Sequence, residues 1–238
     1  LELSTSELMA IKQVDAAIEK IQIPGNEDQL AIRQQQWHIP QLQHYTPGSR
    51  KAAFDPSGTW LITGGCGDLG LLTCQWLFEK GVREFVLVGR SGPSAMVQKA
   101  IQQLNDKGAN IKVVAEDVCD ENGMRKVIAE CNVHEPLKGI VHTAGLPGYD
   151  LLDSLNSQRF DEVMAAKAQG AWNLNTLTDE LELDYFICYS SISSTWGSKG
   201  QAHYGAANRF VDSLMSHRRQ RGLPGLRVRW GPWLQQGM

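Results

Sequence analysis

From Gly58 onward, short apolar runs alternate with longer amphipathic stretches, and this alternation is the strongest constraint on how the chain can fold. The apolar runs read as strands near residues 59–63, 85–89, 111–115, 139–142, 184–190 and 226–230. Helical periodicity fills the intervals near 69–80, 95–107, 121–131, 157–181 and 204–221. Strand and helix in regular turn build right-handed βαβ units. The expected fold class is therefore α/β, a Rossmann-like doubly wound parallel sheet with helices on both faces. In such sheets ligands bind outside the carboxyl ends of the strands, so any chemistry belongs just after each strand.

The distinctive residues fall there. The first strand runs into Thr63-Gly64-Gly65-Cys66-Gly67-Asp68-Leu69-Gly70, which opens the first helix. Glycines at such a turn let the backbone bend sharply and bring N–H groups against a pyrophosphate at the positive end of a helix, so this run predicts a dinucleotide site. Arg90 and Ser91 follow the second strand, Asp117 and Val118 the third, and Thr143-Ala144-Gly145 the fourth. Ser190 and Ser191 follow the fifth strand and Gly231-Pro232 the sixth. All are placed to line one crevice.

Arg90 stands where an NAD-preferring fold carries an acid for the ribose 2′-hydroxyl. A guanidinium suits a 2′-phosphate in charge and fork geometry, which points to NADPH; by position alone, Arg90 is equally a surface arginine that ends a strand. Asp117 suits an adenine amino group at the rim, and equally a turn or a helix cap before Glu121.

A second cluster lies far downstream. Tyr204 and Asn208 are four apart and share a helix face. A phenol has an ordinary pKa of about 10, so a catalytic tyrosine needs a nearby cation to stabilise its phenolate, and Lys167 is the candidate. Ser191, at the mouth of the fifth strand, is suited to donate to a carbonyl oxygen and polarise it. Singly these residues are ordinary; their joint placement after the appropriate strands argues for a reductase.

Residues 1–57 differ in character. Leu8, Ile11, Val14, Ile18 and Ile21 recur at helical spacing after a Ser4 or Ser6 cap, and Pro24-Gly25 ends that helix. The stretches 29–34 and 37–45 read as a short strand pair. So small a piece holds too little apolar surface to stand alone. The expected division is thus a partial structural subdomain at 1–57 and a catalytic domain at 58–238.

Composition narrows the class. With 23 Lys and Arg against 26 Asp and Glu, the formal charge is −3, which leaves no basic footprint for nucleic acid; Arg218, Arg219 and Arg221 read as the solvated end of a helix. Five cysteines without paired spacing suggest neither a disulfide framework nor a metal site. No apolar run approaches a membrane span, and the expectation is a cytoplasmic protein.

The glycine run, His142-Thr143-Ala144-Gly145, Ser190-Ser191, Gln201-Ala202-His203-Tyr204-Gly205-Ala206-Ala207-Asn208 and Trp230-Gly231-Pro232-Trp233 together resemble the ketoreductase domains of modular polyketide synthases, members of the short-chain dehydrogenase/reductase superfamily. The resemblance implies that Tyr204 is the proton donor, Ser191 orients the ketone, and Lys167 with Asn208 completes the tetrad. The lysine and asparagine occupy exchanged positions relative to most of the superfamily, as in synthase-embedded members. It further implies NADPH as cofactor, and as substrate a β-ketoacyl chain on the phosphopantetheine arm of an acyl carrier protein beside neighbouring synthase domains. Trp196 resembles the tryptophan of A-type ketoreductases, and Pro147-Gly148-Tyr149 replaces the Leu-Asp-Asp of B-type domains, which implies an L-β-hydroxyl product. Gln201 resembles the A1 subclass; Trp196 also reads as a plain pocket aromatic. The resemblance further implies that the N-terminal structural segment is a small, truncated one and that a substrate lid is expected beyond residue 238. A non-reducing docking domain and an epimerase on the same fold are the alternatives.

Overall fold

In a computed structural model the described residues are 12, 31–33, 36–39, 41, 43–46, 54–133 and 135–233. The chain divides into two compact units, Leu1–Ala53 and Phe54–Met238, ahead of the boundary expected after residue 57. In the first unit, β1 (Ala31–Arg33) and β2 (Gln36–His38) pair antiparallel, with Ala31 opposite His38. The second strand is shorter than the stretch 37–45 that pattern suggests, since residues 39, 41 and 43–45 are not strand. Apart from Lys12, which is helical, the helix expected around Leu8 to Ile21 lies outside the described residues.

The second unit is built on six parallel strands: β3 (Thr59–Thr63), β4 (Glu84–Gly89), β5 (Asn110–Ala115), β6 (Leu137–His142), β7 (Tyr185–Ser191) and β8 (Leu226–Trp230). Their spatial order is β5-β4-β3-β6-β7-β8. The chain winds outward from β3 in one direction, then returns through β6 in the other, so a crevice opens between β3 and β6 at the strands' carboxyl ends. Strand residues alternate between two apolar layers. Trp60 and Ile62 join Leu77, Leu87 and Ile101 on one face, while Leu61 joins Met124, Ile140, Leu174 and Val211 on the other. Helices α1 (Asp68–Glu79) and α2 (Ala95–Asn105) cover the first face. The second is covered by α3 (Glu121–Cys131), α5 (Gly170–Leu177) and α7 (Ala202–Gln220).

Local chemistry explains several boundaries. Ser94 caps α2 by accepting from the Val97 N–H, and Asp120 caps α3 by accepting from Asn122 and Gly123. The stretch 157–181, which reads as one helix, is interrupted: α4 (Ser157–Met164) passes into a π turn at Ala165–Gln169 before α5 begins. Periodicity cannot register one extra residue inside a helix, and such bulges concentrate at functional sites. A short helix, α6 (Ser193–Trp196), follows β7.

Arg218 corrects an expectation. It is buried, donates to Pro224 O and Asn175 Oδ1, and lies over the Phe186 ring with its Cζ 4.2 Å from the centroid. A charged group tolerates burial when its donors are satisfied and an aromatic face covers it. Arg221 stays at the surface in a bidentate pair with Asp179.

Candidate active site

Two cavities adjoin at the carboxyl edge of the sheet. The first, about 470 Å³, lies over the β3–β6 crevice and is lined by Thr63, Gly64, Cys66, Gly67, Asp68, Leu69 and Gly70 from the β3–α1 turn. Arg90 and Ser91 close it after β4, Asp117 and Val118 after β5, and Thr143, Ala144 and Gly145 after β6, with Lys167 and Tyr204 at its inner end. The second, about 400 Å³, is lined by Ser191, Trp196, Gln201 and again Tyr204, together with Pro147, Tyr149, Ser193, Trp230 and Trp233. Tyr204 therefore stands between them.

The turn is shaped by close approach. Gly64 has φ +69°, and a Cβ there would sit 2.8 Å from the Ala144 nitrogen. A side chain on Gly70 would run into the Gly64 carbonyl oxygen, so helix α1 can approach the turn only with glycine at that position. Gly65 does not line the cavity: its Cα faces into the sheet, where a Cβ would stand 2.7 Å from that of Leu87. It serves packing rather than contact. Gly67, the residue ahead of α1, supplies no side-chain acceptor to the first turn, whose N–H groups are then available to an anion. A glycine cradle, a free helix start and an arginine at the rim fit a dinucleotide. Asp117 also acts as a turn former, since its Oδ1 accepts from the Cys119 N–H at 2.9 Å.

At the inner end, β6 and the π turn are tied together by His142. Its Nδ1 lies 2.7 Å from Thr63 Oγ1, and its Nε2 lies 3.2 Å from the Lys167 carbonyl oxygen. A carbonyl only accepts, so Nε2 carries the proton and Thr63 donates to Nδ1. Burial, reinforced by the Lys167 charge, pulls the His142 pKa down to about 3, and the ring is neutral. Gly170 leaves room for it: a Cβ there would meet the His142 Cε1 at 3.2 Å.

Lys167 is buried and its Nζ donates to the Tyr189 carbonyl at 3.1 Å. Burial lowers its pKa to about 8, partly opposed by Cys188. The nearest acceptor assigned to the ammonium is thus a β7 carbonyl rather than the phenol. Tyr204 has its pKa raised by burial, with the side chains of Asn208 and Ser191 pulling the other way. Its hydrogen-bonding environment comes from those two residues, and the charge expected from Lys167 is a neighbour in the same cavity. Ser191 Oγ accepts from the Ser193 N–H at 3.2 Å and from Ser193 Oγ at 3.0 Å. With both lone pairs engaged, its own proton is left to donate outward. Asn208 donates to the Tyr204 carbonyl at 2.8 Å, while its buried Oδ1 has no hydrogen-bond partner.

Two lining residues carry no sequence signal. Glu116 accepts from the Asp117 N–H, and Ser193 supports Ser191. Only the fold brings them to the cavities. Among the described residues, no group of three or more His, Cys, Asp or Glu is placed to hold a metal ion, and no helix is long and apolar enough to cross a membrane.

A parallel sheet with a glycine-cradled crevice and a buried tyrosine beside a lysine defines a nicotinamide-dependent oxidoreductase fold of the short-chain type. The KR domain profile matches residues 58–235, and the chain belongs to that family, the ketoreductase domains of modular polyketide synthases. It is 39% identical over 217 residues to polyketide synthase GfsA of Streptomyces halstedii, covering 90% of this chain and 3% of that protein. It is 40% identical over 200 residues to mycoketide-CoA synthase of Mycobacterium tuberculosis, covering 83% of the chain and 5% of the relative. Among solved structures, an A1-type ketoreductase superposes with a TM-score of 0.81 at 34% identity, over 90% of this chain and 46% of the other. The ketoreductase from the first module of phoslactomycin biosynthesis in Streptomyces sp. HK803 superposes at 0.82 and 34%, over 90% and 50%. The chain thus spans half or less of each of these four proteins, and the two curated relatives are much longer synthases.

Proposed function

We propose that the chain reduces the β-ketone of an acyl chain carried on the phosphopantetheine arm of an acyl carrier protein, using NADPH and yielding an L-β-hydroxyacyl product. The observation that carries this reading is the position of Tyr204, shared by a glycine-lined cavity suited to a dinucleotide and an aromatic-lined cavity suited to an acyl chain. The N–H groups at the start of α1 hold the diphosphate, and Arg90 at the rim suits the 2′-phosphate that separates NADPH from NADH. When bound, NADPH supplies a hydride for the ketone carbon.

The chain's own residues handle the oxygen. Ser191 donates its free proton to the carbonyl oxygen and polarises it. Tyr204, kept protonated by burial, delivers its phenolic proton to the same oxygen. The Lys167 ammonium, charged below about pH 8, eases the loss of that proton through the field it sets up in the shared cavity. Asn208 keeps an unengaged acceptor behind Tyr204, a place for the proton relay that recharges the phenol.

Trp196 and Gln201 flank the second cavity, and the A1-type ketoreductase among the similar structures supports an L-hydroxyl formed without inversion of an α-substituent. The relatives are multidomain synthases, which supports neighbouring domains as partners. The test is turnover of a β-ketoacyl thioester with NADPH and chiral analysis of the alcohol. Tyr204→Phe should lower kcat by roughly 10²–10⁴-fold while leaving NADPH binding intact, the range for loss of a positioned acid. Near-normal turnover in that variant refutes the assignment.

A further inference from the structure

Between β6 and α4, residues 143–156 contain neither helix nor strand, yet Pro147 and Tyr149 form a wall of the Ser191 cavity. The wall owes its position to side chains that stand outside the cavity. Arg159, on α4, donates from Nη2 to the Pro147 carbonyl at 2.7 Å and from Nε to Asp150 Oδ2 at 3.1 Å. The Asp150 N–H donates to the Gly200 carbonyl at 2.7 Å, on the turn that leads into α7. His203 is buried beneath the segment, with Nε2 3.1 Å from the same Asp150 oxygen but making no hydrogen bond to it, so its contact with the segment is one of packing. A Cβ on Gly148 would collide with its ring, so the backbone there rests directly on the imidazole.

Both ends of the Pro147–Asp150 stretch are therefore pinned, one to α4 and the other to the approach of α7, whose Gln201 and Tyr204 form the facing side of the cavity. An exposed ion pair contributes little. Here the Arg159 and Asp150 side chains are only 33% and 29% exposed, and the guanidinium holds three acceptors at fixed angles, the Pro147 carbonyl, Asp150 Oδ2 and, at 3.4 Å, Glu162 Oε2. We infer that Asp150, Arg159 and His203 form a positioning cluster for substrate recognition, which fixes the Pro147–Tyr149 wall and thereby the orientation in which the acyl thioester lies across Ser191 and Tyr204. The inference rests on the reductive reading above. A prochiral ketone is presented by one face only while the wall stands still; a loosened wall admits the flipped pose, and it weakens substrate placement without touching the proton donor.

The experiment uses the 238-residue chain with Arg159→Leu and Asp150→Asn, each assayed with NADPH and a short β-ketoacyl thioester. The expected result is a KM raised about five- to tenfold, the net size of one ordinary hydrogen bond, with kcat changed by no more than about twofold. The fraction of the minor β-hydroxyl enantiomer rises, and NADPH affinity stays unchanged. Amide hydrogen exchange of residues 148–151 in Arg159→Leu becomes at least about tenfold faster, as the protection conferred by the Asp150 bond to Gly200 is lost. An unchanged KM and enantiomer ratio overturns the inference, including in a variant that only melts earlier, because that pattern is structural. Unchanged exchange at 148–151 overturns it too. If the unmutated protein oxidises no NADPH, it is the reductive reading that fails, and the exchange measurement still decides whether the cluster pins the wall.

Discussion

Acidification should loosen the site through His142. The imidazole is neutral in the folded protein because burial and the Lys167 charge pull its pKa from 6.5 to about 3, whereas the unfolded chain keeps the ordinary value. Between those values the unfolded state binds a proton that the folded state refuses, so stability falls as pH falls. The slope is about 1.4 kcal/mol per pH unit. The loss reaches about 2 kcal/mol by pH 5 and about 4 kcal/mol by pH 3, against a total stability of about 5–15 kcal/mol for a typical domain. The consequence is local as well as global, since a protonated ring cannot accept from Thr63 while it holds the Lys167 carbonyl. Urea unfolding followed by tryptophan fluorescence at pH 7, 6 and 5 measures the effect, with His142→Gln as the reference. Gln should be less stable at pH 7 by about 1–3 kcal/mol for imperfectly replaced hydrogen bonds. Its pH dependence should be flatter by about 2 kcal/mol between pH 7 and 5. Equal pH dependence in the two proteins refutes the reasoning.

Gly70→Ala places a methyl group against the Gly64 carbonyl and should cost about 1–3 kcal/mol as the turn is pushed aside. Weaker binding in an NADPH fluorescence titration should accompany it. Arg90→Ala should weaken NADPH binding roughly ten- to a hundredfold and spare NADH, as loss of a charged hydrogen bond to a phosphate predicts. Equal effects on the two cofactors count against that role. Lys167 should give opposing trends with pH: kcat declines as pH rises past about 8 and the ammonium is lost, a limb absent in Lys167→Met. Over the same rise the buried charge is relieved, because the folded pKa of about 8 lies below the ordinary 10.5. This group's share of stability therefore climbs by about 3 kcal/mol between those values, measurable by urea unfolding.

Much of this molecule is written in local pattern. Each strand of the six-stranded sheet lies within a residue or two of an apolar run, because period-two and period-3.6 burial are properties of neighbouring residues. The turn at Gly64–Gly70 is equally local, since its glycines are demanded by backbone approach within a single strand–turn–helix unit. That the residues after β3, β4, β5 and β6 line one crevice follows from the winding of a parallel sheet, whereas Ser191 and Gly231-Pro232, after β7 and β8, line the adjoining cavity and Ser190 lines neither.

The remainder rests on partners distant in sequence. Arg218 looks like a surface residue until Asn175, Pro224 and Phe186 surround it, and Gly65 looks like a cofactor contact until Leu87 closes over it. The π turn that carries Lys167 leaves no trace in periodicity, and the bond that anchors it comes from His142 on β6. Pro147 and Tyr149 become a cavity wall only because Arg159 and the turn before α7 hold them. The amino-acid order by itself determined the sheet and the glycine turn, since those depend on burial period and backbone freedom along the chain. Tertiary structure alone decided which charges are buried, which hydroxyl is left free to donate, and where the phenol stands between two cavities. Those outcomes depend on hydrogen-bond partners tens of residues away, which become neighbours only when the sheet is assembled.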